Sequence, residues 1–385
     1  MKLSTDRILT THVGSMPRPQ EVVDMLFAED QRDLTAEERV QYDDIMSRNV
    51  IDVVKRQAGA GVAIPSDGEM SKISYAAYIR HRLPGFSIGE VPRATPKDLD
   101  DYPEYRDRLA SAGGTPKYHR PICTGEIKVK DLEPLKKDIA NMKAALEAAG
   151  RDEGFMNAAS PGVVAVFQPN QHYQTHEEYL FALAEVMKTE YETIAEAGLL
   201  LQVDCPDLAM GRHIKFRDED DETFIKNAEM QVEALNYALS NVPAEKVRMH
   251  LCWGNYEGPH NHDIALNKIM PTVFKVNAQA IQFEASNPRH AHEWQLWAKA
   301  DIPEDKVLMP GVLDTTTNFV EHPELVAERI LRFTDIVGRE RVIAGTDCGF
   351  GTFAGFGAVH PSICWAKLEA MTEGAQLASE RLWAS

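Results

Sequence analysis

No apolar run in this chain approaches the roughly 18 residues that cross a bilayer as a helix, so nothing is expected to span a membrane. Residues 1–15, MKLSTDRILTTHVGS, lack the uninterrupted apolar segment of a secretion signal. Positive charge is short as well. The 41 Lys and Arg stand against 59 Asp and Glu, a net charge of −18. That balance argues against a nucleic-acid partner, and it makes any anionic substrate depend on a local cluster of cations or backbone N–H groups. Cysteines are few and odd in number: Cys123, Cys205, Cys252, Cys348 and Cys364. Such a set fits a reducing cytoplasm better than a disulfide framework, so a cytoplasmic location is expected.

In bulk the chain is ordinary for a globular protein. Apolar residues make up 44% and charged residues 26% of 385, enough to bury an extensive core. The informative feature is order along the chain, where short apolar runs alternate with amphipathic stretches. The runs are 8–15, 62–69, 155–160, 199–206, 247–253, 280–286, 307–314 and 342–349. Helical spacing is clear between them, as at Leu180, Leu183, Val186 and Met187, and in 323–337, which begins with Pro323. Eight strand–helix units predict a (β/α)8 barrel of the α/β class, with residues 1–385 as one domain. The stretch from about 84 to 130 breaks the rhythm. It is rich in Pro, Gly and charge, and is expected to form an excursion or lid, leading into a short hairpin at 123–129. The same stretch is a candidate contact for a homo-oligomer.

In such barrels catalytic groups gather at the C-terminal ends of the strands. Here the runs end in Ser15, Glu69, Ser160, Asp204, Cys252, Glu284, Asp314 and Cys348. His250 and Cys252 are two apart on one run, so their side chains share a face. Alone, such a pair is more often core than ligand. Joined by Glu284 and Cys348 at other strand ends, it makes a four-donor set soft enough to select zinc. A carboxylate is the donor most readily displaced by an incoming thiol, and zinc lowers the pKa of a bound thiol. The expected chemistry is therefore thiol activation, with a small-molecule thiol and an electrophilic alkyl or methyl donor as partners.

The motifs HLCW (250–253), QFEA (282–285) and TDCG (346–349) resemble those of the cobalamin-independent methionine synthase superfamily, in its catalytic C-terminal barrel. The resemblance covers nearly the whole chain and implies zinc on His250, Cys252, Glu284 and Cys348. It also implies that Gly14 and Ser15 of THVGS help hold the thiol substrate, and that Glu69 and Asp204 receive its amino group. Two departures stand out. The family's Asp-Glu-Pro is Asp-Cys-Pro at 204–206, and Thr316 stands where the synthases carry an acid–base histidine. The second departure speaks against methylfolate as donor.

Stretches such as HLCWGNYEGPHNHDI (250–264) and FEASNPRHAHEW (283–294) look closer to a side branch, the epoxyalkane:coenzyme M transferases. That branch implies a coenzyme M-like thiolate opening an epoxide, and it leads here. Methyl transfer to homocysteine is the enzymatic alternative. A non-catalytic zinc-binding module and a metal-free lyase of the uroporphyrinogen decarboxylase kind are the others. Ring opening needs a proton donor, for which His262 and Tyr256 are the candidates, with His260, His290 and His292 nearby in sequence. Trp253 and Tyr256 could wall an alkyl pocket, although ordinary packing explains them equally well. Among Lys72, Arg80, Arg212 and Arg289, Arg212 is the preferred cation for a sulfonate.

Overall fold

The computed structural model describes residues 1–89, 95–111 and 119–384. Seven parallel strands form one curled sheet. They are β1 (Leu9–Thr10), β4 (Phe155–Ala159), β5 (Leu200–Asp204), β6 (Val247–Leu251), β7 (Ala280–Phe283), β8 (Val307–Leu313) and β9 (Ile343–Thr346). Their order is β1-β9-β8-β7-β6-β5-β4. Every strand residue is buried on both faces, as a parallel sheet covered by helices requires. The predicted helices are present at His176–Glu196 and Pro323–Val337. The first starts with a reciprocal Thr175–Glu178 capping box, and the second has Pro323 in its first turn and ends at Gly338, with φ 85°.

The expected second strand is not a strand. Residues 62–66 nevertheless fill its place and close the barrel. The N–H groups of Ala63 and Ile64 donate to Thr10 O at 3.0 Å, and the Phe155 N–H donates to Pro65 O at 3.0 Å. Pro65 has no N–H to continue a ladder. Gly68 (φ 68°) and Glu69 (φ 55°) then turn the chain through the left-handed region. The architecture is thus an α/β barrel of seven strands and one irregular closing segment.

Its interior is layered. Leu9, Ile64, Phe155, Leu200, Ala280, Val307, Met309 and Ile343 form a small apolar plug. Farther along the strands toward their C-terminal ends, the interior turns polar, with Asn157, Gln202, Arg248 and Gln282 all buried. Arg248 donates to Thr11 Oγ1 at 2.8 Å and to His12 O at 2.7 Å, and lies 3.9 Å from the centroid of the Phe155 ring. This shell ties β1 to β6 below the strand ends.

The excursion contains a two-stranded antiparallel ladder, β2 (Phe86–Ile88) with β3 (Pro121–Cys123). This corrects the hairpin expected at 123–129, since only Cys123 of that stretch is in a strand. Helices Asp98–Asp101 and Pro103–Ser111 follow β2. Residues 90–94 and 112–118 of the excursion lie outside the described residues. Lys97 N–H donates to His213 O at 2.9 Å, so this part of the excursion sits on the loop after β5. Among the described residues no helix is long and apolar enough to cross a membrane.

Candidate active site

Parallel register sets the site. Asp204 of β5 lies beside His250 of β6, and Leu251 lies beside Phe283 of β7. Cys252 and Glu284 are each one residue beyond those last two, so both emerge at one level. Cys348 follows β9 by two residues. The ligand atoms of His250, Cys252 and Cys348 fall within 4.8 Å of one another. The two sulfurs are 3.2 Å apart and unbonded, and all five cysteines are free and buried.

Burial, reinforced by Arg248, lowers the pKa of His250 to about 3, so its ring is neutral. It shares a hydrogen bond with the Gln282 backbone, while its buried Nδ1 has no partner. A buried acceptor left open costs about 1–3 kcal/mol. A buried neutral imidazole with one open nitrogen, set beside two thiols, is a ready cation site, and this donor set fits zinc.

Glu284 does not join that tight cluster. Its Oε1 accepts the Trp253 N–H at 2.7 Å, and its Oε2 accepts Asn287 Nδ2 at 2.7 Å. The loop holding it is pinned by Asp347, which accepts the N–H groups of Ala285, Ser286 and Asn287, each at 2.9 Å. Three of the four expected ligands are therefore assembled, and the carboxylate stands beside Cys252 in another hydrogen-bonded arrangement.

The two other predicted carboxylates lie at the end of β5 and on the irregular closing segment. Asp204 accepts from Asn157 Nδ2 at 3.0 Å and from Gln202 Nε2 at 2.8 Å. Glu69 is 2% exposed, and its Oε2 has no hydrogen-bond partner. Burial pushes Glu69 up to about 7 and Asp204 up to about 6, and the charge of Asp204 adds to the rise on Glu69. Lys72 opposes both shifts. It is buried, donates to Asn157 O at 2.5 Å and lies 4.5 Å from the centroid of the Tyr78 ring. Arg18 opposes the rise on Glu69 as well, and Arg248 the rise on Asp204.

Gly14 and Ser15 flank the same space. Gly14 has φ 144°, and a Cβ there would stand 2.2 Å from Asn157 Oδ1. Ser15 Oγ would stand 2.0 Å from a Cβ on Gly349, beside Cys348. Only glycine permits either approach.

Four other predicted residues are engaged elsewhere. Arg212 is not the free cation expected: its Nε donates to Asp221 at 2.8 Å and its Nη1 to Phe216 O at 3.1 Å. Trp253 is fully buried, donates through Nε1 to Ile264 O at 2.8 Å and packs on His290, so it belongs to the core. The Tyr256 hydroxyl donates to Asp98, and burial together with that carboxylate raises its pKa, which makes it a poor proton donor. His262, part-exposed, pairs with Asp101 of the excursion at 2.7 Å.

Asn157, Gln202, Asp98, His213 and Asp263 were not anticipated. Gln202 had a signal, since it is two residues before Asp204 and shares its face. Asn157 is its register partner, visible only once β4 and β5 are aligned.

The fold is an α/β barrel with a buried His–Cys–Cys donor set at its strand ends. The family described as cobalamin-independent synthase, catalytic domain, matches residues 109–373, more than half of the chain, and the chain belongs to it. It is a transferase of methyl or alkyl groups to a thiol. Curated relatives include the methionine synthase of Saccharolobus solfataricus, 25% identical over 97% of this chain and 95% of its own length. Another is that of Sulfurisphaera tokodaii, 24% identical over 97% and 93%. The fold is similar to that of a B12-independent methionine synthase from Shewanella sp. W3-18-1, solved with selenomethionine. The TM-score is 0.75 at 17% identity, over 98% of this chain and 100% of that one.

Proposed function

We propose that this protein transfers a methyl group to the sulfur of homocysteine, using a zinc ion held by His250, Cys252 and Cys348 and completed by Glu284. The carrying observation is the buried pair formed by Asp204, at the end of β5 beside His250, and Glu69, on the irregular closing segment with its Oε2 unpartnered. A pair of carboxylates there suits an amino-acid thiol. The curated relatives named above are methionine synthases, which agrees with this reading.

When bound, the ion lowers the pKa of a thiol held against it, so a thiolate is present at neutral pH. The rest falls to the chain. Asp204, oriented by Asn157 and Gln202, and Glu69 hold the ammonium and so fix the far end of the substrate. Gly14 and Ser15 form the wall beside these groups, Gly14 packed against Asn157 and Ser15 against Gly349. Glu284 would complete the ion's ligand set, and its hydrogen bonds from Trp253 N–H and Asn287 would hold the carboxylate if a thiol took its place. Sulfur bonds to the methyl carbon as the carbon–donor bond breaks, and the electron pair leaves with the donor. We read residues 1–385 as one barrel domain, with the 84–130 excursion as a lid over the mouth.

A second reading, epoxide opening by a coenzyme M-like thiol, is favoured by Thr316. Its N–H and Oγ1 both bind Asp314 at 2.8 Å, so it offers no acid–base group where the methylfolate enzymes carry histidine. It ranks second because a sulfonate needs a cation, and Arg212 is spent on Asp221. Calorimetry on zinc-loaded protein separates the two. Binding of homocysteine and methionine, without coenzyme M, is expected. Binding of coenzyme M alone overturns the proposal.

A further inference from the structure

A second cluster of buried polar side chains lies where the excursion meets the loops after β5, β6 and β7. Asp98 comes from the excursion, His213 from the loop after β5, His260 and Asp263 from the loop after β6, and His290 from the loop after β7. Each side chain is at most 9% exposed. Ligand atoms of Asp98, His260 and Asp263 lie within 4.8 Å of one another.

Each imidazole has its outer nitrogen committed. His213 Nε2 faces Trp253 O at 2.9 Å, His260 Nε2 faces Tyr256 O at 3.1 Å, and His290 Nδ1 faces Glu293 Oε2 at 2.9 Å. A carbonyl or carboxylate oxygen only accepts, so the outer nitrogens donate and carry the protons. In neutral rings the inner nitrogens are then bare lone pairs, and they face carboxylate oxygens. His213 Nδ1 is 3.2 Å from Asp98 and 3.9 Å from Asp263. His260 Nδ1 is 3.2 Å from both oxygens of Asp263. His290 Nε2 is 3.5 Å from Asp263 and has no hydrogen-bond partner.

Lone pair against lone pair repels, so something positive belongs between them. Among the described residues no Lys or Arg pairs with Asp98 or Asp263. Protonation of the rings would draw such contacts in to about 2.7–2.9 Å. Two ligands each about 2.0–2.2 Å from one ion stand roughly 3–3.5 Å apart. The observed spacings match the second case. Outer N–H groups anchored on carbonyl and carboxylate oxygens are also the usual support for metal-bound histidines. Two carboxylates balance the charge of one divalent ion. Against the lowering effect of burial, Asp263 raises the pKa of His260 and, with Glu293, raises that of His290 to about 11, so an entering ion takes the place of those protons.

We propose that Asp98, His260 and Asp263, flanked by His213 and His290, form a second site for a divalent transition metal ion, separate from the cysteine site. Nitrogen and oxygen donors without sulfur suit zinc, iron, cobalt or nickel. An ion there ties Asp98, and with it the 97–101 turn of the excursion, to the barrel mouth. The proposal does not depend on which thiol the enzyme uses.

Equilibrium dialysis of the full chain against excess cobalt(II), followed by metal analysis and absorption spectra, tests it. Two ions per chain are expected in the wild type. The Cys252→Ser, Cys348→Ser double variant is expected to keep one, with d–d absorption and no sulfur-to-cobalt charge transfer. Asp263→Asn and His260→Gln are expected to remove that one and to spare the charge-transfer band. A wild type that binds one ion, with a Cys-less variant that binds none, overturns the proposal. The wild-type stoichiometry decides the matter even where a variant fails to fold, and loss of the cysteine-site band alone counts against the thiol-activation reading instead.

Discussion

Methionine affinity should fall steeply on mild acidification, because the amino group must meet Glu69 and Asp204 in their ionised forms. Methionine is the right probe, since its thioether does not titrate and its ammonium stays charged through the range. The two carboxyls are pushed up to about 7 and about 6, chiefly by burial. Going from about pH 7.5 to about 5.5 lowers the ionised fraction ~25-fold at the first and ~4-fold at the second, and affinity scales with the competent fraction. The product is ~100-fold in Kd, or about 2.8 kcal/mol. The pair is coupled, so the two steps belong to the pair rather than to one residue each. Raising the pH ionises both groups, hence binding strengthens with pH and levels off above about 8. His250 stays neutral throughout, with its pKa lowered to about 3. The assay is isothermal titration calorimetry at fixed ionic strength. Glu69→Gln should flatten the profile to the ~4-fold slope of Asp204 alone and weaken binding at neutral pH. A wild-type profile that is flat, or a steep one that survives in the Glu69→Gln, Asp204→Asn double variant, refutes the assignment.

The same burial gives a stability prediction with a fixed sign. A carboxyl whose folded pKa is raised destabilises the ligand-free protein above its unfolded pKa, and the penalty grows until the pH passes the folded value. Glu69→Gln should therefore raise the Tm of ligand-free protein near pH 8, with an upper bound on the order of 3 kcal/mol, and the gain should vanish near pH 4. Equal Tm differences at both pH values in scanning calorimetry count against it. Gly14→Ala places a Cβ against Asn157 Oδ1 at φ 144°. It should cost about 2–4 kcal/mol in denaturant unfolding and, by displacing the group that orients Asp204, at least ~10-fold in methionine affinity. Unchanged affinity would show that Asn157 does not orient the carboxylate. Tyr256→Phe should leave methyl transfer within about 3-fold, since its hydroxyl proton is committed to Asp98, and a ~100-fold loss would restore it as a proton donor.

Much of the barrel was legible because parallel strands buried on both faces read as short apolar runs, and seven of the eight expected runs are strands. The exception, 62–69, is instructive. Its composition is strand-like as far as Ile64, but Pro65 and the left-handed pair Gly68–Glu69 turn it into an irregular closing segment. That irregularity delivers Glu69 into the interior, so the failure of the strand is also what buries this carboxylate.

Candidate residues on strands stood out by the period of two and by position at a strand end: His250 with Cys252, then Asp204, Cys348 and Glu284, of which Glu284 stands outside the tight cluster. Residues on loops were not. Arg212 follows a strand end as a substrate cation would, yet a helix that begins at Asp221 brings a carboxylate within 2.8 Å, and the nearer partner wins. Trp253 and Tyr256 sit in the right loop, but their polar tips are satisfied by Ile264 O and Asp98. Asp98 carried no signal at all, because nothing in a charged, Pro-rich stretch marks one aspartate among many as the buried one. Its role depends on where the excursion lands, and the excursion lands on the histidines of the β5, β6 and β7 loops. Strand ends thus place one half of the candidate site, the His–Cys–Cys cluster and Asp204, by local rules. The excursion closes the other half through contacts more than a hundred residues distant, such as Asp98 with His213, where a single sequence gives least guidance.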